Sequence, residues 1–184
     1  MWAIWLGLML LLAPPAAAQL AISVVPIEPL LTAAERADVA GVRMALLKGS
    51  PINSRDASGR TALIIAAGNG CAPCARYLLE ESAMVDLPDE QGNTALIHAA
   101  IRGWDDVADL LLRFGADANG SNRRGETALH RAAREGHGAV AKRLLQSGAR
   151  PGQTDHTGRT AFDHARETGN AQLLTLLRRP AAGG

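Results

Sequence analysis

The chain lacks a charge excess of either sign. Over 184 residues, 19 Lys and Arg stand against 18 Asp and Glu, a formal net charge of +1. Attraction to nucleic acid in bulk needs a clear basic surplus, so that class of partner is set aside. Lysine is scarce, present only as Lys48 and Lys142, and nearly all the positive charge is arginine. That bias, with abundant alanine, matches the composition of a GC-rich bacterial genome. No G-x-S-x-G, no H-E-x-x-H and no phosphate-cradling glycine loop occurs. The chain therefore reads as non-enzymatic, with no cofactor, no metal and no catalytic residue expected.

It also lacks an apolar run of membrane-spanning length. Ala3 to Ala13 is nearly unbroken, but about 12 apolar residues fall short of the about 20 a bilayer requires. Pro14-Pro15 end the run, and Ala16-Ala17-Ala18 supply the small residues of a cleavage site. Residues 1–18 read as a signal peptide cleaved after Ala18, although its first residues carry no Lys or Arg. The expected location is the periplasm or the exterior, with no membrane association after cleavage. Residues 19–28 read as a short extended leader.

What the chain has is a phrase that returns every 33 residues. Thr61-Ala62-Leu63, Thr94-Ala95-Leu96, Thr127-Ala128-Leu129 and Thr160-Ala161-Phe162 share one register. Gly59, Gly92, Gly125 and Gly158 precede each Thr by two, and Gly70, Gly103, Gly136 and Gly169 follow it by nine. A fixed period of this length predicts a solenoid of helical hairpins. Each Thr can cap a first helix. Each following Gly can end it. Leu78-Leu79, Leu110-Leu111-Leu112 and Leu144-Leu145 then mark the core face of a second helix. Repeats are placed at 28–59, 60–92, 93–125, 126–158 and 159–177, within a domain at 29–177. The first is degenerate, with Arg36, Asp38, Arg43 and Lys48 suiting a polar cap, and 178–184 read as a disordered tail.

Glu126-Thr127-Ala128-Leu129-His130-Arg131-Ala132-Ala133, followed by Gly136-His137, resembles the ankyrin repeat phrase. Phe114-Gly115-Ala116-Asp117-Ala118-Asn119 is similar to the family's following turn. The resemblance implies an all-α ankyrin-repeat solenoid, with stacked helix–turn–helix units and β-hairpin-like fingers between them. It also implies that His130 is structural, its ring bonding backbone and Thr groups to hold the turn. Ile64, Ile97 and Asp163 stand at that position in the other repeats.

Few residues invite chemistry. Cys71-Ala72-Pro73-Cys74 falls at a helix–helix turn, with Cys74 aligned to the core positions Val107, Val140 and Leu173. A local structural disulfide is the first reading, in an oxidising compartment. Two packed or reduced cysteines are a second. A thiol-redox pair with the outer Cys71 as attacking sulfur is the third, though the strand that usually precedes such a pair is missing. His98 and His164 share a repeat position two repeats apart, too distant for one metal. Asp105 and Asp109 lie four apart on one helix face, where acids near an N-terminus complement the helix dipole. Trp104 is expected either to cover the junction between repeats three and four or to anchor a partner.

Function is therefore expected on the surface. Ankyrin-like proteins usually meet partners with the turn tips and the exposed side of the first helix, on a concave face. Carried over, those positions give Arg60, Glu90, Gln91, Arg102, Arg123, Arg124, Glu126, Arg134 and Arg159. Arginine grips carboxylates in a fork, so the expected partner is a protein with an acidic or mixed-charge surface. The chain would act as a monomeric binding module. The alternatives are the thiol-redox protein and a stabilising companion of a periplasmic enzyme.

Overall fold

The computed structural model describes residues 28–178. The stretches read above as signal peptide and leader, up to residue 27, and residues 179–184 of the expected tail lie outside it. Ten helices follow one another as hairpins: α1 (Pro29–Glu35), α2 (Val39–Leu47), α3 (Ala62–Gly68), α4 (Ala72–Glu80), α5 (Ala95–Arg102), α6 (Asp105–Arg113), α7 (Ala128–Arg134), α8 (Gly138–Gln146), α9 (Ala161–Thr168) and α10 (Ala171–Arg178). None is long and apolar enough to cross a membrane.

Helices of seven to nine residues are marginal alone in water, so stacking must supply their stability. The odd-numbered helices contact one another in one row and the even-numbered helices in a second, each hairpin bridging the rows. The first row is packed through alanines: Ala66-Ala67, Ala99-Ala100 and Ala132-Ala133 are wholly buried. Without large side chains there, backbones of successive hairpins approach closely. Leu63, Leu96 and Leu129 fill the remaining space from the first row, and Leu78, Leu111 and Leu144 from the second.

The repeated threonines cap as the spacing requires. Thr61, Thr94, Thr127 and Thr160 accept from the third helical amide at 3.3–3.4 Å. In α7 and α9 the capping is reciprocal, through His130 and Asp163. The degenerate first repeat has no such cap. Glu28 stands at that position without a side-chain bond, and Pro29 opens the helix.

The turns inside the third, fourth and fifth hairpins are each tied to the hairpin before by the residue at one register position. Trp104 Nε1 donates to the Gly68 carbonyl at 3.1 Å, and His137 Nε2 donates to that of Ile101 at 3.2 Å. Asn170 donates to the Gly136 carbonyl at 3.4 Å. Glycine is required beneath two of these rings. Gly70 and Gly103 hold φ of +72° and +76°, and an added Cβ would stand 2.7 Å from Trp104 or His137. The indole thus covers the junction of the second and third hairpins, not the third and fourth. It reaches backwards because its N–H finds an unpaired carbonyl at the preceding helix end.

Candidate functional site

Between successive hairpins the chain projects in fingers, each built around one acidic or amide side chain. Asp56, Asp89, Asn122 and Asp155 share a register position. Their Oδ1 atoms accept from the amides two and four residues on, at 2.8–3.0 Å. Isolated antiparallel bridges join Arg55 to Thr61, Ser121 to Thr127 and Thr154 to Thr160, the hairpin character expected of the fingers. One main-chain bond then links each finger to the next. Glu90 donates to Ser58 at 3.0 Å, Arg123 to Gln91 at 3.0 Å and His156 to Arg124 at 2.9 Å. The tips are therefore held in a fixed row.

Below the tips, the acids are fastened in two ways. His98 Nε2 donates to Asp89 at 2.8 Å, and His164 Nε2 donates to Asp155 at 2.9 Å. Burial would raise the Asp89 and Asp155 carboxyls. The bonds from His98 and Asn93, and from Thr157, His164 and Arg159, outweigh it and hold both below the usual carboxylate range. In the fourth hairpin, Asn122 brings no charge. The acid there is Glu126, and Arg124, Arg131 and Arg134 converge on it at 2.8, 3.5 and 2.7 Å. Its carboxyl is also lowered: burial opposes, but Asn122 and the arginines prevail.

His130 sits as the family resemblance implies. Its Nδ1 accepts from the Thr127 amide at 3.2 Å, which leaves the proton on Nε2 to donate to the Arg159 carbonyl at 3.2 Å. Burial lowers its pKa, so the ring is neutral at pH 7. The ring meets that of His164 edge-on, centroids 5.8 Å apart.

Four of the sequence-selected residues come together. Glu90, Gln91, Arg123 and Arg124 line one shallow depression between adjacent finger tips. Arg102 lies in the last turn of α5, exposed. The rest are engaged within the chain. Arg60 pairs with Asp56 at 2.7 Å and approaches Glu35 at 3.5 Å. Arg159 pairs with Glu167, and Arg134 is held by Glu126. Glu126 corrects the expectation most clearly. It is 2 % exposed, so its carboxylate organises arginines from below instead of presenting itself at the surface. Asn93 is likewise buried, between Asp89 and Asn122.

The remaining candidates have structural partners. The Cys71 and Cys74 sulfurs stand 2.10 Å apart at the start of α4, and both side chains are buried. Burial of Cys71 favours the structural reading, since a redox role calls for an accessible sulfur. Asp105 and Asp109 reach across to the next hairpin. Arg143 grips Asp105 at 2.5 and 2.9 Å and Asp109 at 2.8 Å. Sequence reasoning missed this fork, the Glu126 cluster and the Asp–His pairs. The last had a signal, since both histidines follow an acid by nine residues. Among the described residues no group of His, Cys, Asp and Glu is arranged to hold a metal.

A family model described as ankyrin repeats (3 copies) matches residues 30–122 and again 105–182. No curated protein matches the chain. The two matches together run through every described hairpin, and the fingers, threonine caps and alanine-packed row give the physical basis for the match. The chain belongs to the ankyrin repeat family.

Proposed function

We propose that this chain is an exported, non-catalytic binding module whose partner is a protein presenting an acidic or mixed-charge surface to the finger tips. The family is generally one of protein–protein interaction modules. The carrying observation is the depression lined by Glu90, Gln91, Arg123 and Arg124. Main-chain bonds between fingers fix that grouping before any partner arrives, so little ordering entropy is lost on binding. Arg124 is steered by Glu126, while Arg123 makes no ion pair among the described residues and is available to a partner's carboxylate. Arg102, exposed in the last turn of α5, offers a further cation from the first-helix row. The apolar run at Ala3–Ala13 and the alanines before Gln19 support export and cleavage after Ala18. The five hairpins are read as five repeats, and the module as a monomer.

Crosslinking of the exported fraction, followed by affinity measurement with the captured protein, tests this. Reversing Arg123, which makes no ion pair among the described residues, to Glu should weaken binding at least tenfold while leaving the helical content unchanged. Undiminished affinity in that variant would remove this face from the proposal.

A further inference from the structure

The finger tips carry an exposed side chain at one shared register position: Ala57, Glu90, Arg123 and His156. The last three are rooted on the finger before them. A Cβ added at Gly59 would stand 3.2 Å from Cγ of Glu90, and one at Gly92 would stand 3.2 Å from Cγ of Arg123. At Gly125 it would stand 2.6 Å from a ring carbon of His156. The space left by each glycine is the seat of the next tip residue. Together with the main-chain bonds between tips, this holds the row in one line. Its members are spaced as the stacked helices are, about 8–10 Å apart.

Along that line the charge changes sign. Glu90 and Arg123 stand on neighbouring tips and line the same depression. Neither makes an ion pair among the described residues. Arg124, the next residue along, is drawn instead to Glu126 at 2.8 Å. Seated one finger apart, Glu90 and Arg123 stay exposed side by side with both charges uncompensated. A surface of a single sign laid across them is attracted at one tip and repelled at the other. A surface that sets a cation over Glu90 and a carboxylate over Arg123 is attracted at both. Juxtaposed like charges exclude wrong partners, so the pair acts as a filter.

We propose that Glu90 and Arg123 select a protein surface bearing a cation and a carboxylate about 10 Å apart, the cation toward the N-terminal end of the solenoid, and reject surfaces of one sign. The inference rests on the finger-tip reading above and narrows its partner from acidic or mixed charge to mixed charge alone.

The test uses three alanine-based helical peptides as probes. The first bears a lysine and a glutamate seven residues apart, which the helical rise sets about 10 Å apart on one face. The second bears them four apart, where they pair with each other. The third bears two glutamates seven apart. Each is titrated at low salt into the full chain, and affinity is read from the amide shifts of Glu90, Gln91, Arg123 and Arg124. The first peptide should bind about fivefold more tightly than either of the others, the scale of one exposed ion pair. Glu90→Arg should reverse the preference in favour of the two-glutamate peptide. Arg123→Gln should weaken the first and third peptides alike. If the two-glutamate peptide binds the parent chain as well as the first does, the selection for mixed charge is overturned and the acidic-partner reading stands. Equal affinity for the first and second peptides overturns the spacing. No shift of those amides with any peptide overturns the selection and counts against the finger-tip face itself.

Discussion

The third and fifth hairpins and the fourth solve one problem differently. Each must bury a turn-forming side chain beneath a finger without leaving its charge unpaired. In the third and fifth that side chain is an aspartate, and a histidine on the following helix donates to it. In the fourth it is Asn122, and the histidine has moved one position toward the helix N-terminus, where His130 bonds Thr127 and the Arg159 carbonyl. The negative charge moves to Glu126 and recruits three arginines. The lesson is that a single aspartate-to-asparagine change in the turn is accompanied by a different acid, a different histidine position and a different set of cations. The turn geometry is unaltered because Oδ1 of Asn accepts the same two amides as Oδ1 of Asp.

The comparison is broken most severely by removing the acid of the fourth hairpin. Glu126→Ala leaves Arg131, whose side chain is 13 % exposed, with Glu135 alone at 3.3 Å, and takes from Arg134 and Asn122 their buried acceptor. Breaking a buried ion pair on one side costs about 3 kcal/mol or more. Urea unfolding should show a loss of that size, larger than for any other single finger residue.

A smaller loss is expected from Asp155→Asn, which gives the fifth hairpin the amide of the fourth without its glutamate. About 2 kcal/mol should disappear at pH 7, the worth of hydrogen bonds to a buried charge. The pH dependence gives a second reading. The folded-state pKa of Asp155 lies below its ordinary value of 3.8, so the unfolded chain takes up the proton first as pH falls. Its contribution is complete well above that value and is lost progressively below it. The stability gap between the parent and Asp155→Asn should therefore narrow from pH 5 toward pH 2. A gap that stayed constant would mean that shape, not charge, fastens the fifth finger.

The smallest effect is expected from His98→Leu. The His98–Asp89 pair has the same geometry as His164–Asp155, but the His98 side chain is 23 % exposed against 1 % for His164. Water can replace part of what is lost, and Asn93 still bonds Asp89. A cost of about 1 kcal/mol is expected by urea unfolding. An equal cost for His98→Leu and His164→Leu would show that burial depth does not grade the two pairs.

Much of this architecture was legible in the residues, and the reason is repetition. A threonine at one register and a glycine nine residues on, recurring four times, specify a short capped helix and its end without reference to anything distant. The alanines and leucines at fixed offsets specify which faces meet. The all-α ankyrin solenoid could be located by counting, whereas Glu90, Gln91, Arg123 and Arg124 came only from the family resemblance, as four among nine surface positions. What could not be counted was which polar side chains turn inward. Glu126 and Arg124 look equally like surface residues in sequence, yet one is buried and the other exposed. Arg143 and Asp105 are 38 residues apart and meet only because α6 and α8 lie side by side.

The sequence by itself determined the period, the caps, the turns and the composition of the core, because each depends on residues within a few positions of one another or on a strict repeat of them. Only the tertiary structure decided which charges are spent inside the molecule and which stay at the surface. That choice depends on distances between hairpins, where a buried carboxylate draws in every guanidinium within reach, and those left outside its range remain at the surface.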